Sequence, residues 1–332
     1  MTTRRDPFAP RPRGARPAAR SSLTLPPSAR RPLTRRSAML GAAGLMGLGL
    51  AACGSSGDGG GAGGGGESGG GTITLGYIPS WTDGLSTAYL IDNRLTAMGY
   101  TVEHEPITEA GVLYAGLAQG DVDMFPSAWP EVTHASYMEE YGDSIEDLVA
   151  YYEGAVLNLS VPEYVDITSI DELAGQADRF GGRIVGIEPG AGLTEATQDR
   201  VIPGYGLEDF ELVTSSTTAM ITELESAIDA EEDIVVTLWS PFWAMPAYSM
   251  KALEDPEGHF GEPEALHHLG REGFAEDFPD AAEWIAQATL SDEQFGSLED
   301  MVVNQFDEGE EAEAVEAWLE ENPDVLPPVE GE

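Results

Sequence analysis

The sequence predicts an α/β protein built in two lobes. Short apolar runs alternate with amphipathic helical patterns from Thr72 onward, the signature of parallel strands covered by helices. The chain has 332 residues, enough for two lobes of ordinary size. Two apolar segments, 154–161 and 264–270, are placed to carry the chain into a second lobe and back.

Each element has a local reason. Residues 72–77 and 101–106 read as strands, with an amphipathic helix over 84–98 between them. Residues 110–119 form a helix closed by Gly120, which tolerates the left-handed turn required there. A third strand spans 122–125, and a helix follows over 130–140. Ser169 or Asp171 caps a short helix over 169–173. Strands at 183–187, 210–213 and 233–238 then alternate with helices at 192–200 and 217–230. Helices at 281–289, 292–305 and 310–321 finish the chain. No repeat of fixed period is present. The expected lobes are 72–158 with 265–327, and 159–264.

Charge is distributed very unevenly. Ten of the 16 lysines and arginines lie in the first 36 residues. Residues 53–332 keep six basic and 58 acidic side chains, a formal net of −52. Such a surface repels nucleic acid and anionic lipid, which excludes phosphate-backbone binding. The acid excess reads as solubility or, more sharply, as adaptation to high salt, where screening makes self-repulsion tolerable.

The front end is a targeting segment. Arg30, Arg31, Arg35 and Arg36 precede a 13-residue apolar run of small residues over 38–50, too short to span a bilayer comfortably. The run ends in Leu50-Ala-Ala-Cys53, which resembles a bacterial lipobox, so residues 1–52 are expected to be a signal peptide and Cys53 a lipidated N-terminus. Thr34-Arg35-Arg36-Ser37 is similar to the start of a twin-arginine export signal, but Ala38 stands where an aromatic is usual. Cys53 is the single cysteine, so no disulfide forms within the monomer. Residues 53–71, 12 of 19 of them glycine, form a tether that cannot bury a core.

Three stretches end a strand on tryptophan beside turn chemistry: Leu75–Asp83 with Trp81, Asp123–His134 with Trp129, and Ile234–Pro241 with Trp239. A quaternary ammonium offers no hydrogen-bond donor and is held instead by the negative faces of aromatic rings, tryptophan best. Singly, each tryptophan reads as core. Together, in one type of context, they read as three walls of a cage. Trp243 is placed to stack behind Trp239, whereas Trp284 and Trp318 sit in helical patterns and read as packing. Ile187-Glu-Pro-Gly190-Ala-Gly192-Leu193-Thr194 is a strand, a glycine turn and a helix start, whose free amides suit a carboxylate or phosphate. It lacks the lysine and spacing of a nucleotide loop. His134 reads either as a satisfied loop histidine or as a further donor to the same anion.

These motifs, with Ser127-Ala-Trp-Pro, Gly186-Ile-Glu-Pro-Gly-Ala-Gly, Val236-Thr-Leu-Trp-Ser-Pro-Phe-Trp243, Leu253-Glu-Asp-Pro and the segment 310–323, carry a resemblance over residues 72–323. The chain resembles the glycine betaine/proline betaine-binding proteins of ABC-type osmoprotectant importers. The resemblance implies a type II periplasmic-binding-protein-like fold with a hinge and no cofactor. It implies cage positions at Trp129 and Trp239, with the third at Trp81 or, in the ungapped register of some relatives, at Ser80. It further implies carboxylate contacts from His134 and from the backbone amides of Gly192 and Leu193. A tyrosine wall of choline-binding relatives is replaced by Leu157, and a tryptophan of another betaine-binding branch by Ala191. Asp83 keeps choline open, as an acceptor for its hydroxyl or an attraction for the cation.

The expected function is capture of glycine betaine or a related quaternary amine by a membrane-anchored, extracytoplasmic monomer that delivers it to a permease. Choline or carnitine binding and a non-transport sensor lipoprotein stand as alternatives. An extracytoplasmic enzyme is the rival class. The sequence has no Gly-x-Ser-x-Gly and no cysteine nucleophile, and His259, His267 and His268 make a poor metal set because adjacent histidines on a strand point opposite ways.

Overall fold

The computed structural model describes residues 70–329. The signal segment, the lipidation site at Cys53 and the tether up to residue 69 lie outside the described residues. The chain opens with β1 (Thr72–Tyr77), α1 (Thr82–Ala97), β2 (Thr101–Pro106), α2 (Ala110–Gln119), β3 (Met124–Ala128) and α3 (Ala135–Tyr141). A long β4 (Ile145–Pro162) leads to β5 (Arg183–Val185), α4 (Gly192–Ala196), α5 (Ile202–Gly204), β6 (Glu211–Val213) and α6 (Thr217–Asp229). Next come β7 (Val236–Ser240), α7 (Ala244–Ala247), β8 (Met250–Ala252) and β9 (Glu264–Arg271). Helices α8 (Phe274–Asp277), α9 (Pro279–Ile285), α10 (Asp292–Asp300) and α11 (Glu311–Glu321) close the chain.

The strands run in the order β2-β1-β3-β9-β4-β7-β5-β6, with β8 on β4. A parallel set stands at each end: β2, β1 and β3, with Thr72 opposite Thr101, and β6, β5 and β7, with Arg183 opposite Glu211. Between them β9 is antiparallel to β3 and to β4, and β4 is antiparallel to β7. The expectation of parallel sheets is corrected to this extent. β4 and β9 carry the chain out and back, so they oppose one another.

β4 changes partner along its length, pairing with β9 over 145–155 and with β7 over 156–160. The apolar strand expected at 154–161 is only its second half. Glu146, Asp147 and Glu153 interrupt the apolar pattern of the first. Behind the β1 set, Ile73 and Leu75 pack with Ile91 and Leu95 of α1 and with Phe274 and Trp284. Behind the β5 set, Ile184 and Val236 pack with Met220 and Leu224 of α6.

Caps follow sequence chemistry. Gly120 closes α2 at φ +77°, and Ser169 forms a capping box with Glu172. Ser216 caps α6 by accepting from the Ala219 amide at 3.2 Å. The helix expected from Pro130 starts instead at Ala135. The amides of Glu131, Val132 and Thr133 donate to the Glu264 carboxylate and are held in a turn. Trp284 and Trp318 are buried and donate to the Pro327 carbonyl (3.0 Å) and to Ser297 Oγ (2.8 Å), as packing residues.

Candidate functional site

The first wall comes from β3. All five of its residues are buried, yet Pro126 sits mid-strand with no N–H to give. The pairing with β9 shifts register between Phe125 and Ala128, the irregularity a proline demands in an interior strand. The strand ends by presenting Trp129, whose indole N–H donates to Asp83 Oδ2 at 3.2 Å. The same oxygen accepts from Ser127 Oγ at 2.7 Å. Burial pushes the Asp83 carboxyl up, against the lowering effect of those two donors. Asp83, in the first turn of α1, thus anchors an indole.

The second wall is Trp81, directly before α1. Its ring lies 5.9 Å from His134, 17° from parallel, and its indole N–H donates to Glu188 Oε2 at 3.1 Å. His134 follows Trp129 by five residues and its amide donates to the Trp129 carbonyl at 2.8 Å. The Trp129 amide in turn points at His134 Nδ1 (3.2 Å), and the Tyr114 hydroxyl lies 3.0 Å from the same nitrogen. A backbone N–H only donates, so Nδ1 is the acceptor and Nε2 carries the ring proton. Burial lowers the ring to about 3, which leaves the imidazole neutral and a donor at ordinary pH.

The third wall is Trp239 on β7, in register with Leu157 of β4. Phe242 stacks behind it at 3.9 Å between ring centres. This corrects the expectation for Trp243, which sits beyond Phe242 and packs on Tyr248. The chain turns immediately after Trp239, at the cis Ser240–Pro241 bond, and places Phe242 on the indole. The indole N–H of Trp239 is buried and has no partner among the described residues.

The floor is the turn from β5 into α4. Gly192 and Leu193 open α4, where first-turn amides have no partner within the helix. A Cβ on Gly192 would stand 1.9 Å from the Thr133 carbonyl oxygen, so only glycine permits this approach. All seven residues expected at the site, Trp81, Asp83, Trp129, His134, Gly192, Leu193 and Trp239, line one cavity. Thr133, Leu157, Ile187 and Ala191 complete its wall. Ser80, the alternative third cage position, is not on the wall; its hydroxyl donates to Glu188.

Sequence reasoning did not find Glu188, Glu264 or Tyr114. Glu188 receives Trp81, Tyr114 orients His134, and Glu264 ties down the turn between Trp129 and His134. The only signal for Glu188 was its place inside the glycine-turn motif; the other two carried none. The histidines of the metal alternative are dispersed. His267 lies 2.8 Å from Asp147, His268 stacks on Tyr151 at 4.2 Å, and His259 pairs with Glu257 at 3.1 Å. No group of three metal-ligating side chains occurs among the described residues.

The profile of the family described as the substrate binding domain of the ABC-type glycine betaine transport system matches residues 71–321. The chain belongs to this family. Its members are transport components rather than enzymes. Among curated proteins it is 38% identical over 148 residues to the glycine betaine/carnitine transport binding protein GbuC of Listeria monocytogenes, covering 43% of this chain and 47% of that one. The chain therefore spans about half the length of that relative. Among solved structures it is similar to the glycine betaine, L-proline-binding protein ProX of Borrelia burgdorferi (32% identity, 77% of this chain and 97% of that one, TM-score 0.71). It is also similar to lactococcal OpuAC in its closed form with glycine betaine (28%, 76% and 96%, TM-score 0.70). A choline-binding protein in complex with choline shares the fold at 24% identity and a TM-score of 0.69. These neighbours establish a type II periplasmic-binding-protein fold.

Proposed function

We propose that this chain captures glycine betaine, or a related quaternary amine bearing a carboxylate, and delivers it to the permease of an ABC importer. One observation carries the reading: three indoles, one neutral imidazole donor and the opening amides of α4 line a single cavity. Trp81, Trp129 and Trp239 hold the methylated nitrogen, and His134 Nε2 with the Gly192 and Leu193 amides holds the acid tail. Desolvated cation–π contacts at up to ~2 kcal/mol each and charge-assisted bonds at ~1.5–3 kcal/mol each are offset by ordering and closure. The balance reaches about −8 kcal/mol, which is micromolar affinity. Asp83 argues for betaine over choline. Its Oδ2 is already committed to Ser127 and Trp129, so it acts through the indole more than on a ligand hydroxyl.

The lobes proposed are 72–158 with 265–327, and 159–264. Support comes from β4, which exchanges β9 for β7 between Ala155 and Val156. The cavity lies between them, and hinge motion opens it. Anchorage outside the cell membrane by lipidated Cys53 rests on the sequence of the leader; no helix among the described residues is long and apolar enough to cross a membrane. Isothermal titration tests the site: glycine betaine binds in the micromolar range or tighter, choline binds more weakly, and Trp129→Ala abolishes binding. Equal behaviour of wild type and Trp129→Ala toward every quaternary amine would reject it.

A further inference from the structure

Glu188 lies in the turn between β5 and α4, and its carboxylate is filled from two sides. From α6, the amide and hydroxyl of Thr217 each donate at 2.9 Å. From the turn before α1, the Ser80 hydroxyl donates at 3.0 Å and the Trp81 indole N–H at 3.1 Å. The Glu188 carbonyl accepts from Thr194 Oγ1 at 2.8 Å, which fixes the backbone behind the carboxylate. Ser80 and Trp81 belong to the β1 side of the sheet; Glu188, Thr194 and Thr217 belong to the β5 side. The arrangement around Trp129 is different, because its acceptor Asp83 stands on the same side as the indole it receives.

We propose that Glu188 is a closure latch, a positioning residue that ties the Trp81 wall to the opposite half of the molecule while the cavity is occupied. The inference rests on the reading of the cavity as a quaternary-amine site. When the halves part, the two Thr217 donors stay with Glu188 and the two donors from the β1 side leave. Trp81 then loses the partner that fixes its ring plane. Ligand escape therefore breaks the latch and the cage contact together, whereas ligand entry meets an open latch. The dissociation rate depends on Glu188 and the association rate does not.

The test is stopped-flow tryptophan fluorescence with glycine betaine on wild type, Glu188→Gln, Ser80→Ala and the double variant. Glu188→Gln raises the dissociation rate on the order of 10- to 100-fold, the scale of lost charge-assisted bonds, with the association rate within about 2-fold. Ser80→Ala leaves Glu188 on α6, raises dissociation severalfold and adds nothing in the Glu188→Gln background, the mark of a shared interaction. Unchanged dissociation, a loss confined to association, or additive effects of the two substitutions would overturn the latch. A second readout needs no ligand. With Cys53→Ser, dyes at Val112→Cys and Glu208→Cys report the distance between the halves, and Glu188→Gln lowers the closed fraction of the free protein. Equal closed fractions overturn the latch even if wild type binds no quaternary amine, an outcome that instead refutes the function proposed above.

Discussion

Replacing Gly192 by alanine is the sharpest test of how the cavity closes. Gly192 is the first residue of α4 and follows an extended Ala191, so alanine suits its backbone and its helix propensity is higher. The obstacle is steric. The added methyl would stand 1.9 Å from the Thr133 carbonyl oxygen and 2.7 Å from its carbon, against ordinary contact near 3.4 Å. Relief requires about 1.5 Å of separation. Thr133 cannot yield, because its amide donates to Glu264 at 3.0 Å and its hydroxyl to the same carboxylate. Nor can α4 slide freely, since the Gly190 carbonyl accepts from Tyr137 at 2.7 Å. Overpacking of this kind costs ~1–3 kcal/mol, a ~5- to 150-fold weaker affinity for glycine betaine. The open form lacks the clash, so melting without ligand is unchanged or slightly higher. Calorimetric titration with ligand-free thermal unfolding measures both. Wild-type affinity in Gly192→Ala would refute the close approach of α4 to the Thr133 turn.

His134→Ala weakens glycine betaine binding ~10- to 100-fold through the lost charge-assisted donor, and wild-type affinity stays flat from pH 5 to 8 because the ring titrates at about 3; a step near pH 6.5 in titration calorimetry would contradict this. Glu299 is buried, with Thr82 donating to it at 2.7 Å, and burial aided by Asp83 raises it to about 8. It is protonated in the fold and ionised in the unfolded chain between about 4.5 and 8, so its contribution is full below 4.5 and is lost as pH rises toward 8. Denaturant titrations across this window show that loss in wild type and not in Glu299→Gln. On the acid side the sign reverses. Burial lowers His134 to about 3 and His268 to about 4, so stability falls as pH drops below 6.5 and the unfolded chain takes up protons. With 58 acidic against six basic residues after the leader, the melting temperature rises from low to molar sodium chloride; equal melting at both would rule out the high-salt reading.

Much of the fold was legible because local patterns suffice where neighbours in sequence are neighbours in space. β1, β2 and α2 fall on the residues their patterns mark. The first half of β4 and the three-residue β8 did not, because their pairing with distant β9 and β4 overrides a weak local pattern. The three tryptophans that line the cavity were legible for a different reason. Tryptophan is scarce here, six in 332, and three copies at strand ends in one type of context form a pattern.

The carboxylates that hold the indoles and the turn beside them were less legible. Glu188 and Glu264 are two carboxylates among 59, and no spacing marks them; Asp83 was read as a ligand contact, and its role as acceptor for the Trp129 indole was not. By itself the sequence determined which rings and which helix start come to line the cavity, since these follow from strand ends, turns and glycine. Tertiary structure alone decided which carboxylate meets which indole and which nitrogen of His134 carries the proton. The Trp81–Glu188 bond spans 107 residues of chain and exists only once the two halves of the sheet are in place; the His134 proton is set by the Trp129 amide five residues away, in a turn that Glu264 holds from 131 residues on.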